Sequence, residues 1–192
     1  MNGEEGGKRL GNENYLNGEE KRELIEIASQ TIRGYLRDGA IPEFEVSGER
    51  LNKPGAAFVT IRKGTQLRGC IGYTEALYPL YKTVIECAVA SATEDPRFPP
   101  LSGDEVDDVE IEISVLTPLK EVKELSEIEV GKHGLMVTKG SHRGLLLPQV
   151  ATEYGWGLPT FLSHTCMKAG LPEDAWEKGA SIFTFEAQII QE

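Results

Sequence analysis

The 192-residue chain carries 20 Lys and Arg against 31 Asp and Glu, a formal charge of −11, and is 40% hydrophobic. Ordinary globular composition with a net-acidic balance excludes collagen-like and low-complexity classes. It also excludes general nucleic-acid binding, which needs clustered Lys and Arg to neutralise phosphates. No stretch approaches the roughly 20 apolar residues of a membrane span, and the opening MNGEEGGKRLGNENYLNGEE lacks the apolar segment of a secretory signal.

Residues 1–18, rich in Gly, Asn and Glu, predict a flexible tail, which leaves 19–192 as a single domain. A helix starts near Asn17 or Glu19. Leu24, Ala28, Thr31, Ile32 and Tyr35 then fall on one face, and Gly39 is suited to end it. Residues 56–61 and 66–73 read as strands joined by a Lys63-Gly64 turn, the second interrupted by Gly69 and Gly72. Residues 77–93 predict a helix with Pro79 in its first turn. The run Asp95-Pro96-Arg97-Phe98-Pro99-Pro100 can be neither helix nor central strand.

Strict alternation over 109–115 predicts a strand buried on one face. Pro118 opens a smaller lobe, placed within about 118–175. Residues 135–137 and 144–147 bracket a hairpin turn, Pro148 starts a helix running to about Tyr154, and a further helix spans about 159–169. Residues 180–190 alternate and predict one closing strand. Helices mixed with antiparallel-type strands, without regular βαβ alternation, give an α+β class: mostly antiparallel sheet flanked by helices. No GxGxxG opens a helix after a strand, so a dinucleotide fold is not expected.

Charge is uneven. Residues 101–130 hold ten acids and two lysines, whereas 47–75 and 131–149 are locally basic. Folded together, the two basic stretches would form a pocket for a small anionic ligand. Cys70, Cys87 and Cys166 form no CxxC pair, which fits reduced thiols in a cytoplasmic protein. His133, His142 and His164 show no metal-ligand spacing, so neither a metal nor a cofactor is expected.

Leu67-Arg68-Gly69-Cys70-Ile71-Gly72 is the most informative run. Gly69 and Gly72 let backbone approach a ligand. Strand alternation puts Arg68 and Cys70 on one face, where a cation beside the thiol would favour thiolate. The alternative is a small residue packed in a glycine-rich strand. Arg97, held in a stiff proline-rich segment, is suited to bind carboxylate or phosphate, unless it pairs with Asp95. Gln149 and Glu153, at i and i+4, project from one side of their helix. Glu153 is a candidate general base for Cys70 or an ordinary surface acid.

The LRGCIG hexapeptide and the Asp95–Leu101 run resemble the AMMECR family. The runs Gly144–Ala151 and Phe161–Leu171, with Glu153 and Trp156, are similar to its archaeal and bacterial members, and the match extends over roughly 19–190. The resemblance implies a larger and a smaller lobe forming a cleft, with LRGCIG and DPRFPP near it. It further implies a Memo-type or radical SAM protein as partner. It implies no reaction. Two readings follow. In the first, the cleft binds a small anionic ligand, a peptide or a partner protein through Arg68, Gly69, Gly72, Arg97 and Gln149. In the second, Cys70 is the nucleophile or carrier of an enzyme, assisted by Glu153 or a histidine. The first ranks ahead because no clear acid–base partner for Cys70 is visible. Neither nucleic acid nor a membrane is an expected partner.

Overall fold

A computed structural model of the chain describes residues 16–191. Most of the expected tail lies outside that range, but residues 16–18 belong to the folded part. Leu16 is only 5% exposed. Its backbone N–H donates to Gln188 Oε1 at 2.8 Å, and its carbonyl accepts from Gln188 Nε2 at 3.2 Å. Asn17 accepts from the backbone N–H groups of Glu19 and Glu20 at 2.9 Å, and Glu20 returns the contact to the Asn17 N–H at 3.1 Å. This reciprocal box satisfies donors that the first turn leaves orphaned. Helix α1, Gly18–Asp38, grows from it and ends at Gly39 in the left-handed conformation, φ 67°.

Strands β1, Ala56–Lys63, and β2, Gln66–Tyr73, form the predicted hairpin. Helix α2, Leu80–Thr93, begins after Pro79 rather than at 77. Strand β3 spans Glu110–Leu116. After the two-residue strand β4, Lys120–Glu121, come β5, Gly134–Lys139, and β6, His142–Leu146. Helices α3, Pro148–Glu153, and α4, Leu158–Lys168, follow, and then β7, Ser181–Phe185, and β8, Ala187–Gln191.

The class is α+β, with two antiparallel four-stranded sheets flanked by helices. Their orders are β2-β1-β3-β8 and β4-β7-β5-β6. The closing segment is therefore two strands, not one. At Glu186 it leaves the second sheet for the first, beside the outward crossing at Thr117. The Thr117 N–H donates to the Glu186 carbonyl at 2.9 Å, and the Glu186 N–H donates to Thr117 Oγ1 at 2.8 Å. Apolar and polar residues alternate through the switch from Phe183 to Ile189, so periodicity alone reads one strand. The second sheet thus includes residues 181–185, beyond the span predicted for the smaller lobe.

Each sheet has its own core. Val59, Ile61 and Ile113 pack under Leu24, Val84 and Ala88 of α1 and α2. Leu135 and Val137 pack under Phe161, Leu162 and Cys166 of α4. A smaller cluster of Ala56, Leu116 and Phe185, with Leu145 and Leu147 against it, joins them.

Candidate functional site

The LRGCIG hexapeptide lies on β2, an edge strand of the first sheet. Its register against β1 slips once: Ile61 faces Gly69 and Arg62 faces Leu67, leaving Arg68 as an extra residue. This bulge shifts the alternation by one and re-aims the side chain. Simple alternation therefore does not fix which face Arg68 shares.

Arg68 is bonded to protein at every guanidinium nitrogen. Nη1 donates to the Pro99 carbonyl at 2.7 Å and Nη2 to the Pro100 carbonyl at 3.4 Å. Nη2 and Nε also reach the Glu105 carboxylate at 3.0 and 3.3 Å. That guanidinium holds Glu105 at a pKa of about 2. Arg68 thus clamps the proline-rich segment to the sheet edge, and its charge is met by Glu105 rather than turned toward a ligand.

The glycines also serve close approach to the protein itself. A Cβ on Gly69 would lie 2.0 Å from the Ser91 carbonyl oxygen of α2, and one on Gly72 would lie 2.3 Å from the Phe58 ring. Ser91 hydroxyl locks the strand further, accepting from the Ile71 N–H and donating to the Val59 carbonyl, both at 2.8 Å.

Cys70 sits where the edge is covered by side chains instead of a strand. Its N–H donates to Asp95 Oδ2 at 2.9 Å, and its carbonyl accepts from Arg97 Nη2 at 3.4 Å. The Asp95–Arg97 pair thereby mimics a strand partner and blunts an edge that would otherwise be open. Thr60, paired with Cys70 across the hairpin, donates from Oγ1 to the sulfur at 3.3 Å. Cys70 is half-buried, whereas Cys87 and Cys166 are fully buried. Desolvation pushes the Cys87 thiol up to about 12 and raises that of Cys166 as well.

Asp95 and Arg97 form a two-pronged pair, Nε to Oδ1 at 2.9 Å and Nη2 to Oδ2 at 2.7 Å. The Arg97 N–H adds a third bond to Oδ1 at 3.1 Å. Asp95 is 3% exposed at its side chain and Arg97 54%. Chiefly through the Arg97 side chain, Asp95 is held well below the usual carboxylate range. Arg97 Nη1 has no partner among the described residues. The guanidinium also lies over the Phe98 ring at 5.3 Å.

The remaining candidates lie on the other lobe. Gln149 and Glu153 sit on α3, and among the described residues no hydrogen bond or ion pair joins their side chains to the Cys70 cluster. The histidines are engaged away from Cys70. His133 Nδ1 accepts from the Glu129 N–H, His142 Nδ1 faces the Ala169 carbonyl, and His164 stacks on Trp156 at 3.9 Å. No group of three His, Cys, Asp or Glu side chains among the described residues could hold a metal.

The two basic stretches meet through opposite charges. Arg143 of β6 pairs with Glu75, and its Nε donates to Met136 Sδ at 2.8 Å. A cleft of about 560 Å³ opens where the chain leaves the first sheet for the second. It is lined by Arg50, Lys53, Thr74, Glu75 and Leu116 among others, not by the LRGCIG run that was expected to line the cleft. Sequence reasoning missed Thr60 and Ser91. Their signal, a polar residue within otherwise apolar strand and helix faces, marks a bond to the neighbouring strand.

An α+β domain of two antiparallel sheets, with its signature hexapeptide clamped to a proline-rich segment, defines the class. The AMMECR1 family profile matches residues 25–190, and the chain belongs to the AMMECR1 family. Protein MK0488 of Methanopyrus kandleri is 44% identical over 184 residues, 91% of this chain and 89% of that protein. Protein MJ0810 of Methanocaldococcus jannaschii is 41% identical over 183 residues, 91% of this chain and 90% of that protein. The crystal structure of the uncharacterized protein PH0010 from Pyrococcus horikoshii superposes with a TM-score of 0.86 at 38% identity, covering 92% of this chain and 93% of that one.

Proposed function

We propose that this chain is a binding module that takes an anionic group, carboxylate or phosphate, against the outward half of Arg97 beside Cys70. The observation that carries the reading is the state of Arg97: fixed on one side by Asp95, half exposed on the other, with Nη1 unpartnered among the described residues. A guanidinium pre-oriented in this way loses little entropy on binding an oxyanion. Of the residues first proposed as ligands, Arg97 is the anchor. Arg68, Gly69 and Gly72 build the platform beneath it, and Gln149 has no part in this anchor.

Non-covalent binding is favoured over catalysis because the contact of the Cys70 sulfur is the Thr60 hydroxyl, with no histidine or carboxylate hydrogen-bonded to it among the described residues. The anion belongs to a small ligand or to a partner protein, and a Memo-type or radical SAM protein is the partner class that the family resemblance suggests. Three free thiols suit a reducing compartment, and our reading is a cytoplasmic protein. No helix among the described residues is long and apolar enough to cross a membrane.

One observation favours the enzyme reading: Cys70 is the most accessible of the three thiols. Titration with inorganic phosphate and succinate, followed by amide NMR, separates the two. Binding is expected at Phe98 and Cys70, weakening about tenfold in Arg97→Lys and persisting in Cys70→Ser. Loss of binding in Cys70→Ser, or full binding in Arg97→Lys, overturns the module. Alkylation of Cys70 near neutral pH no faster than a free model thiol argues against the nucleophile.

A further inference from the structure

We infer that the cleft at the crossing between the sheets is a second ligand site, for an aliphatic carboxylate. Its volume, about 560 Å³, falls in the range of roughly 300–1,000 Å³ typical of small-molecule sites. Its lining combines the buried apolar residues Leu16, Ala56, Leu80, Val115 and Leu116 with the exposed Pro54, Ala76 and Pro118. Aliphatic groups along the cleft gain from each methylene of a ligand that they cover.

The rim supplies the complementary charge. Arg50, which is itself engaged within the protein, and Lys53 both belong to the lining, in a chain whose overall charge is −11. The acid on the rim, Glu75, is already neutralised by Arg143 of the other lobe. Lys53 pairs with Glu49 at 2.7 Å, but both side chains are well exposed, 63% and 84%. Such a surface pair is weak and exchanges readily for a ligand carboxylate held against the cleft. Apolar side chains and cations in one lining select a molecule with an aliphatic body and one anionic head. A neutral alcohol of the same length lacks the head, and an alkylammonium carries the wrong sign.

This site is independent of the one at Arg97, because none of residues 67–72 or 95–97 lines the cleft. The wall is fixed from two directions. Gln188 pins Leu16 in place, and the paired Thr117–Glu186 crossing holds the far end. The cleft is thus built into the junction of the lobes.

Calorimetric titration of the full chain with sodium decanoate, decanol and decyltrimethylammonium tests the assignment. Decanoate is expected to bind about tenfold more tightly than decanol, since a charge-assisted contact at the rim separates them, and the ammonium is expected not to bind. Lys53→Gln should erase much of the preference for decanoate over decanol. Ala76→Trp, an exposed position lining the cleft, should block both while leaving the melting temperature near that of the parent. Arg97→Lys should leave decanoate binding unchanged, which separates failure of this site from failure of the anion site at Arg97. Absence of decanoate binding at millimolar concentration overturns the inference. So does equal affinity for the alcohol, or binding that survives Ala76→Trp.

Discussion

At Gly69 the fold depends on the absence of a single carbon atom. The strand crosses α2 so closely that a methyl group would meet the backbone carbonyl of Ser91, and neither partner is a flexible side-chain end that could swing away. Gly69→Ala is therefore expected to destabilise the chain by about 1–3 kcal/mol, the range of an overpacked core. Urea unfolding measures it. Gly18→Ala is the control, because its Cβ would meet only the end of Arg22 at 3.7 Å and alanine favours a helical position. Equal stability of Gly69→Ala and the parent would mean that β2 and α2 shift apart freely. The close approach also explains what these glycines are for. Their sequence context suggests a backbone open to a ligand, and the same permissiveness serves packing within the protein.

Among elements, the hairpin edge and the proline-rich segment behave as one unit. Three prolines deny the segment a ladder of its own, so side chains must tie it down. Arg68 does so from the bulge, and Asp95 and Arg97 do so from the segment itself. Arg68→Ala removes charge-assisted bonds to Glu105 and Pro99 that are partly shielded from water. The expected loss is about 1.5–3 kcal/mol. It should be local, so native-state hydrogen exchange should show the Cys70 amide, bonded to Asp95, losing protection before the amides of β1. Uniform loss across the sheet would contradict the clamp.

Most of this layout was legible in the sequence. Hydrophobic period placed α1, β1, β2, β3 and α4 to within a few residues, because each has one buried face with a clean repeat. The bulge was not legible, since an extra residue in a strand leaves alternation looking intact until the partner strand is known. The switch at Glu186 was hidden for a related reason: a strand that changes sheets keeps its period. Arg97 was recognisable as a held arginine. That Arg68 is bound at every nitrogen, and that no hydrogen bond or ion pair among the described residues joins Gln149 and Glu153 to the Cys70 cluster, depended on pairings across long stretches of chain, which no local pattern encodes.

For the whole molecule, the acid-rich composition and these clamps combine into a pH dependence of defined sign. Asp95 and Glu105 both hold protons less tightly in the folded chain than in the unfolded one. Their ion pairs therefore stabilise fully at neutral pH. The contribution is lost as pH falls below the ordinary carboxylate values of 3.8 and 4.5 toward the lowered folded ones, about 2 for Glu105. Relief of repulsion among the surplus acids works in the opposite direction, but it spreads over many exposed groups screened by salt. The melting temperature is expected to stay nearly flat from neutral pH down to about 5 and then to fall steeply. Asp95→Asn separates the two effects. It leaves Arg97 without its carboxylate and lowers stability at neutral pH. Because the variant has no carboxyl at 95 to protonate, unfolding in acid should take up about one proton fewer. Equal proton uptake by parent and variant between pH 2 and 4, measured from stability against pH, would show that Asp95 titrates normally in the folded chain. The fork that covers the β2 edge would then not be a persistent ion pair.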